Sequence, residues 1–217
     1  MAKKASKSGL AINLSRLKVF ESPKVGIEQY PMDAEIGAEI LWNAFLIGDI
    51  EDKVIVDLGC GTGILGIGAL LLGAKKVFFV DNDKDALEIA KKNLISVKSE
   101  QLKKENRVLI EKDVKNLDMN KDFEGKCDVV MQNPPFGVKD KGADAAFLEV
   151  AFKISDVVYS FHKLNCAQFV EKFAEERGFE VTHLWEFDFP IKSSLSYHKR
   201  KIYRFKVGCW RFSRIKE

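Results

Sequence analysis

Residues 53–72 read KVIVDLGCGTGILGIGALLL, and this stretch constrains the fold more than any other. A β-branched run, KVIVDL, ends abruptly at Gly59, Gly61 and Gly63, and an apolar helical run follows. A short apolar run closed by glycine reads as a strand buried on both faces. The glycines let the chain turn sharply and let a ligand lie against main-chain atoms, with the N-terminus of the next helix facing it.

From about residue 37 the pattern alternates. Helices are predicted over 38–47, 63–72, 84–97, 143–154 and 167–176, with strands over 53–58, 77–81, 108–110, 127–131 and 157–161. Gly66 and Gly68 predict close packing of the helix over 63–72. The last forty residues differ. Segments 179–189 and 202–212 alternate apolar and polar side chains with no helix between them, which predicts an antiparallel pair. The fold class expected is α/β, a doubly wound, mostly parallel sheet with an antiparallel edge. Right-handed crossovers put the C-terminal ends of the parallel strands along one edge, where the site is expected. One domain over 37–217, preceded by a basic N-terminal extension over 1–36, is the expected organisation.

The net charge of +3 hides an uneven distribution. Residues 1–24 hold six basic side chains and one acidic, and residues 192–217 hold nine and one. The stretch between them is acidic, with 20 basic against 30 acidic residues. Basic ends on an acidic body suit a polyanionic partner, and they also suit solvated tails. The four cysteines, at 60, 127, 166 and 209, form no C-x-x-C pair, and no histidine is spaced to complete a zinc site. They predict free thiols in a reducing, cytoplasmic setting and no metal. No apolar stretch is long enough to span a bilayer, so no membrane partner is expected.

Asp57 directly precedes the glycine turn. Gly61, Gly63 and Gly66 satisfy the dinucleotide pattern G-x-G-x-x-G, which alone is a weak signal. A carboxylate at Asp57 would repel a pyrophosphate, but it suits a cofactor that carries an ammonium and a sulfonium. That cofactor is S-adenosylmethionine. Asp81, at the tip of the second strand, is placed to accept hydrogen bonds from ribose hydroxyls. Asp113, after the third, is placed to accept from an adenine amino group or to cap a turn.

The fourth strand runs into Asn133-Pro134-Pro135-Phe136. An exocyclic amino nitrogen is a poor nucleophile because its lone pair is delocalised. Two acceptors converging on its hydrogens make it more tetrahedral and aim the lone pair. Asn133 supplies a side-chain oxygen and Pro134 a backbone carbonyl, while the prolines stiffen the loop. Phe136 is expected to offer a ring face for stacking a planar base.

These motifs resemble the class I S-adenosylmethionine-dependent methyltransferases that methylate amino nitrogens. EQYPM (28–32), DLGCGTGILGIGALLLGA (57–74), NPPFGVKDKGADAAFL (133–148), VYSFHK (158–163) and SYHKRK (196–201) are similar to a narrower group, the archaeal and eukaryotic methyltransferase-like protein five family. The likeness runs from about Leu14 almost to the C-terminus. It implies a Rossmann-like methyltransferase domain acting on adenine N6 in small-subunit ribosomal RNA. It also implies that Gln29 folds over the cofactor with Met32 nearby, that Gly59, Thr62 and Ile64 line the methionine end, and that Asp81 meets the ribose. Asp113 and Val114 would flank the adenine, and Asn133 to Phe136 would hold the target base. A small zinc-binding activator, docked on an exposed sheet edge as a heterodimer, is the implied protein partner.

RNA contacts are expected from Lys139 and Lys141, from His198, Lys199, Arg200 and Lys201, and from the N-terminal lysines. His162 is read as packing or as a contact to RNA or a nearby loop. Three rival readings remain at this point: a glutamine-amide methyltransferase of the release-factor type, a DNA adenine methyltransferase, and a noncatalytic RNA-binding assembly module.

Overall fold

The first element is a helix that the charge pattern conceals. In the computed structural model, which describes residues 6–20, 31–123, 125, 127–136, 142–191 and 203–216, α1 spans Lys7–Ser15. Ser6 caps it by accepting from the Gly9 N–H. Leu10, Ala11 and Leu14 recur on one face and are buried. That face packs on α2 (Ala34–Ile47) and α3 (Ile64–Leu71), within the same apolar cluster as Leu41 and Ile67. The expected division at residue 36 is therefore not a packing boundary, and the segment read as a basic extension contributes to the core. α2 itself starts four residues before its predicted position, because Asp33 caps it through the Glu35 and Ile36 N–H groups.

The remaining elements follow the predicted alternation. They are β1 (Val54–Leu58), β2 (Lys76–Asp81), α4 (Lys84–Ser96), β3 (Arg107–Glu111), the single turn α5 (Met119–Asp122), β4 (Val129–Gln132), α6 (Ala143–Ile154), β5 (Val157–Lys163), α7 (Ala167–Glu175), β6 (Phe179–Ile191) and β7 (Tyr203–Arg214). The seven strands among the described residues form one sheet in the order β3-β2-β1-β4-β5-β7-β6. The first five are parallel, and β7 pairs antiparallel with both β5 and β6. β1 is the middle of the five parallel strands, and four of its five residues are buried.

Alternate side chains feed two cores. Ile55, Phe79, Met131 and Tyr159 face α1–α3, while Val56, Phe78, Val130 and Val158 face α6 and α7. α3 lies close on the sheet because Gly66 has no side chain: a Cβ there would sit 2.4 Å from Phe79. No helix among the described residues is long and apolar enough to cross a membrane.

Part of the terminal positive charge is internal. Arg211 Nε donates to the buried Asp49 carboxylate at 2.7 Å, which also accepts from the Tyr159 hydroxyl. Arg214 pairs with Asp156, and Lys7 with Glu39.

Leu14→Ala is expected to cost about 2–5 kcal/mol of unfolding free energy in urea melts, the range for a buried leucine. A peripheral extension would lose less than about 0.5 kcal/mol.

Candidate active site

The glycine turn is held by two carboxylates from the strands on which it sits. Asp57 is buried, and its Oδ2 accepts from the Gly66 N–H at 2.8 Å, inside the first turn of α3. Asp81 accepts from the Gly61 N–H through Oδ2 at 2.8 Å and from the Asp83 N–H through Oδ1 at 2.9 Å. The Cys60 N–H donates to the Val80 carbonyl at 2.9 Å, so turn and β2 are also joined through backbone. Gly59, Gly61 and Gly63 have φ of +69°, +53° and +83°, a conformation that side chains disfavour.

Both carboxylates are held above their ordinary range. Burial pushes Asp57 up to about 8, opposed by the Gly66 amide and reinforced by the charge of Asp81. Burial raises Asp81 too, against the Asp83 and Gly61 amides. No cationic side chain of the described residues acts on either one. A buried and a half-buried acid with no cationic side chain of the described residues against them suit a cationic ligand. Each carboxylate has about four acceptor positions, so the backbone bonds leave room for a ligand's hydroxyls or ammonium. The donor set fits S-adenosylmethionine: Asp57 would face its positive end and Asp81 its ribose. The Cys60 thiol is pushed up by burial and by both aspartates, and so stays protonated.

The other expected cofactor residues divide. Thr62 and Ile64 are buried at the turn, and the C-terminal ends of β2 and β3 meet where the Lys112 N–H donates to the Asp81 carbonyl. Asp113 caps a short 3-10 turn, accepting from the Lys115 N–H at 2.8 Å, and Val114 is buried beside it in the core. Met32 is packed in the core, where a Cβ on Gly37 would lie 3.4 Å from its Cγ. Gln29 lies outside the described residues, as do Lys139, Lys141, His198, Lys199, Arg200 and Lys201.

Sequence reasoning missed Asn93 and Phe20. Asn93, on α4, is fully buried and donates from Nδ2 to the Lys18 and Thr62 carbonyls, each at 2.9 Å. Its Oδ1 accepts from the Lys18 N–H at 2.8 Å. These bonds fasten residue 18 to the glycine turn and bring Phe20 over Gly61, where a Cβ would lie 3.4 Å from the ring. An asparagine in a helical run of lysines gives no sign of this; only its place on the apolar face of the helix hints at burial.

At the neighbouring strand end, Leu58 of β1 is in register with Gln132 of β4, so the Asn133 loop stands beside the glycine turn. Asn133 Oδ1 is buried and accepts no hydrogen bond from the described residues. Pro134 is buried and Pro135 half-buried. Phe136 departs from expectation: it is only 8% exposed, because its ring packs edge-on against Phe189 with the Lys163 ammonium 5.8 Å from its centroid. Its faces are largely taken up by the protein rather than open to a base.

The family model for ribosomal protein L11 methyltransferase (PrmA) matches residues 46–134, from the end of α2 to the Asn-Pro loop. Longer likenesses cover nearly everything. The crystal structure of PH1948 from Pyrococcus horikoshii, provisionally described as an RNA methyltransferase, superposes with a TM-score of 0.85 at 42% identity, over 99% of this chain and 100% of that one. The rRNA N(6)-adenosine-methyltransferase Mettl5 of Drosophila melanogaster is 36% identical, over 89% of each chain. METTL5 of Danio rerio is 33% identical, over 92% of this chain and 95% of that one. The chain is thus a class I methyltransferase whose methyl donor is S-adenosylmethionine. Within that class it belongs to the METTL5 family of rRNA N(6)-adenosine methyltransferases.

Raised carboxylate pKa values carry a sign. In the folded, cofactor-free chain Asp57 keeps its proton up to about 8, whereas the ordinary value is 3.8. Folding stability is therefore expected to fall as pH rises from about 4 through about 8. A cationic cofactor favours the ionised carboxylate, so binding at neutral pH is expected to release a proton and to tighten as pH rises toward 8. Calorimetry in buffers of different ionisation enthalpy checks this, and Asp57→Asn reduces the proton release.

Proposed function

We propose that this protein transfers a methyl group from S-adenosylmethionine to the N6 amino group of an adenine in small-subunit ribosomal RNA. The observation that carries the reading is Asn133: a buried acceptor with no hydrogen-bond partner among the described residues, just past β4 and beside a turn suited to a cationic cofactor. Bound S-adenosylmethionine supplies an electrophilic methyl on a sulfonium. The chain's own contribution is positioning and electrostatics. Asn133 Oδ1 and the Pro134 carbonyl accept the two amino hydrogens, which localises the nitrogen lone pair and points it out of the base plane. No strong general base is required, because the methylated nitrogen is acidic and loses its proton readily. Asp57 balances the positive end of the cofactor, Asp81 accepts from its ribose, and Asp113 with Val114 borders its adenine.

The target adenine must leave its stack or be met unpaired, and the flanking backbone needs cationic contacts. Lys139, Lys141 and the run His198 to Lys201 are assigned that task, since they adjoin the Asn-Pro loop in sequence or join the two antiparallel strands. Full-length likeness to enzymes named for rRNA adenosine favours this over the release-factor and L11 readings. The PrmA match covers only 46–134, the cofactor half. A cytoplasmic location accords with an rRNA substrate and with four thiols that form no disulfide.

A small zinc-binding activator is proposed to dock along β6, the last strand of the sheet, where Leu184 is 38% exposed. The chain purified alone is then expected to be poorly soluble or weakly active; a soluble, fully active monomer would sink the partner.

The main test incubates labelled methyl donor with total RNA, small subunits, DNA and release factor, followed by digestion to nucleosides. Label is expected in N6-methyladenosine from small-subunit RNA. Asn133→Ala is expected to lower kcat by about 100-fold or more while cofactor Kd moves by less than about twofold.

A further inference from the structure

Behind the Asn133 loop lies a line of buried polar side chains that the transfer chemistry above does not use. Gln132 ends β4, Ser160 and His162 lie on β5, and Asp144 stands in the first turn of α6. Gln132 and Ser160 are fully buried register partners, and His162 is 2% exposed. Gln132 Nε2 donates to Ser160 Oγ at 2.9 Å, and Ser160 Oγ lies 2.7 Å from His162 Nε2. On the other side of the ring, His162 Nδ1 is 3.8 Å from Asp144 Oδ2, and the Trp210 indole meets the ring edge-on.

Ser160 Oγ accepts from Gln132 through one lone pair. With the imidazole proton on Nδ1, toward the Asp144 carboxylate, the Ser160 hydrogen is donated to His162 Nε2. Burial holds His162 below its ordinary pKa, which keeps it neutral. Gln132 Oε1, Asn133 Oδ1 and His162 Nδ1 are three of the four buried side-chain atoms without a hydrogen-bond partner among the described residues. Each such atom carries an uncompensated desolvation cost. Apolar residues would fill the same space without that cost, so stability alone does not account for the group.

We propose that Ser160 and His162 are positioning residues for methyl transfer, holding the Gln132 side chain and thereby fixing the strand end from which Asn133 projects. Asp144 steadies the far side of the imidazole from α6, and none of the three touches the substrate. The inference rests on the function proposed above. A displacement of about 1 Å in a reacting group can cost about 100-fold in rate, so a hydrogen-bonded brace one residue from Asn133 has leverage that its burial does not reveal.

The test measures kcat, cofactor KM, Tm and imidazole 15N shifts for the wild type, Ser160→Ala, His162→Asn and His162→Gln. Ser160→Ala and His162→Asn are expected to lower kcat about 10- to 100-fold, with cofactor KM within about twofold and little change in Tm. Glutamine places its amide where Nε2 was and can still reach Ser160, so His162→Gln recovers most of the rate. The wild-type spectrum shows a neutral ring protonated on Nδ1, and Ser160→Ala weakens that preference. Wild-type kcat in Ser160→Ala would overturn the proposal, as would rate losses that track Tm with glutamine no better than asparagine. If the wild type methylates no RNA, the functional reading itself fails. The spectrum then still judges the brace, which a ring protonated on Nε2 or on both nitrogens contradicts.

Discussion

Two hydrogen bonds from backbone amides, one to the buried Asp57 carboxylate and one to the half-buried Asp81, hold the rest of this site in place: Gly66 to Asp57 and Gly61 to Asp81. The first fixes where α3 begins relative to β1, and the second ties the glycine turn to β2. Together they convert a conformationally free Gly-x-Gly-x-Gly segment into a rigid cradle. The same bonds keep the two acids close enough that Asp81 raises the pKa of Asp57. A cation-binding cradle is the physical result, and the parallel order of β1 and β4 sets the Asn133 acceptor beside it.

A second layer of support comes from outside the strands. Asn93 spends its side-chain donors on Lys18 and Thr62, so α4 fastens the N-terminal segment over the turn. α1 then anchors that segment through Leu10, Ala11 and Leu14. The N-terminal residues are thus part of the cofactor half of the molecule, even though their composition looks like a solvated basic arm. The positive ends also contribute internally: Arg211 neutralises Asp49, and Arg214 meets Asp156. The charge left for a polyanion is smaller than the counts of basic residues suggest.

What could be read from sequence follows from local rules. Strand–glycine–helix punctuation and the 3.6 and 2.0 periodicities located the five parallel strands, the four helices α3, α4, α6 and α7, and the edge pair, within a few residues at each boundary. α1 escaped because serine, lysine and asparagine dilute its short apolar face, and its burial depends on partners distant in sequence. Asp57 near the end of β1, Asp81 at the end of β2 and Asn133 just after β4 stand out in the sequence because the ends of parallel strands must lie at one edge. The brace of Ser160, His162 and Asp144 was not, since it joins β5 to α6 only through the sheet register. The packing of Phe136 is hidden for a related reason: an aromatic after two prolines suits stacking on a base, and only the fold shows Phe189 packed against it.

The glycine cradle buries the Asp57 carboxyl group with no cationic side chain of the described residues against it, and a cationic cofactor is expected to ionise it. Carboxyl 13C NMR titration of Asp57, with and without bound cofactor, tests this directly. A midpoint near 8 in the free chain and a marked fall on binding are expected. A midpoint near the ordinary 3.8 in the free chain, unchanged by cofactor, would contradict that expectation.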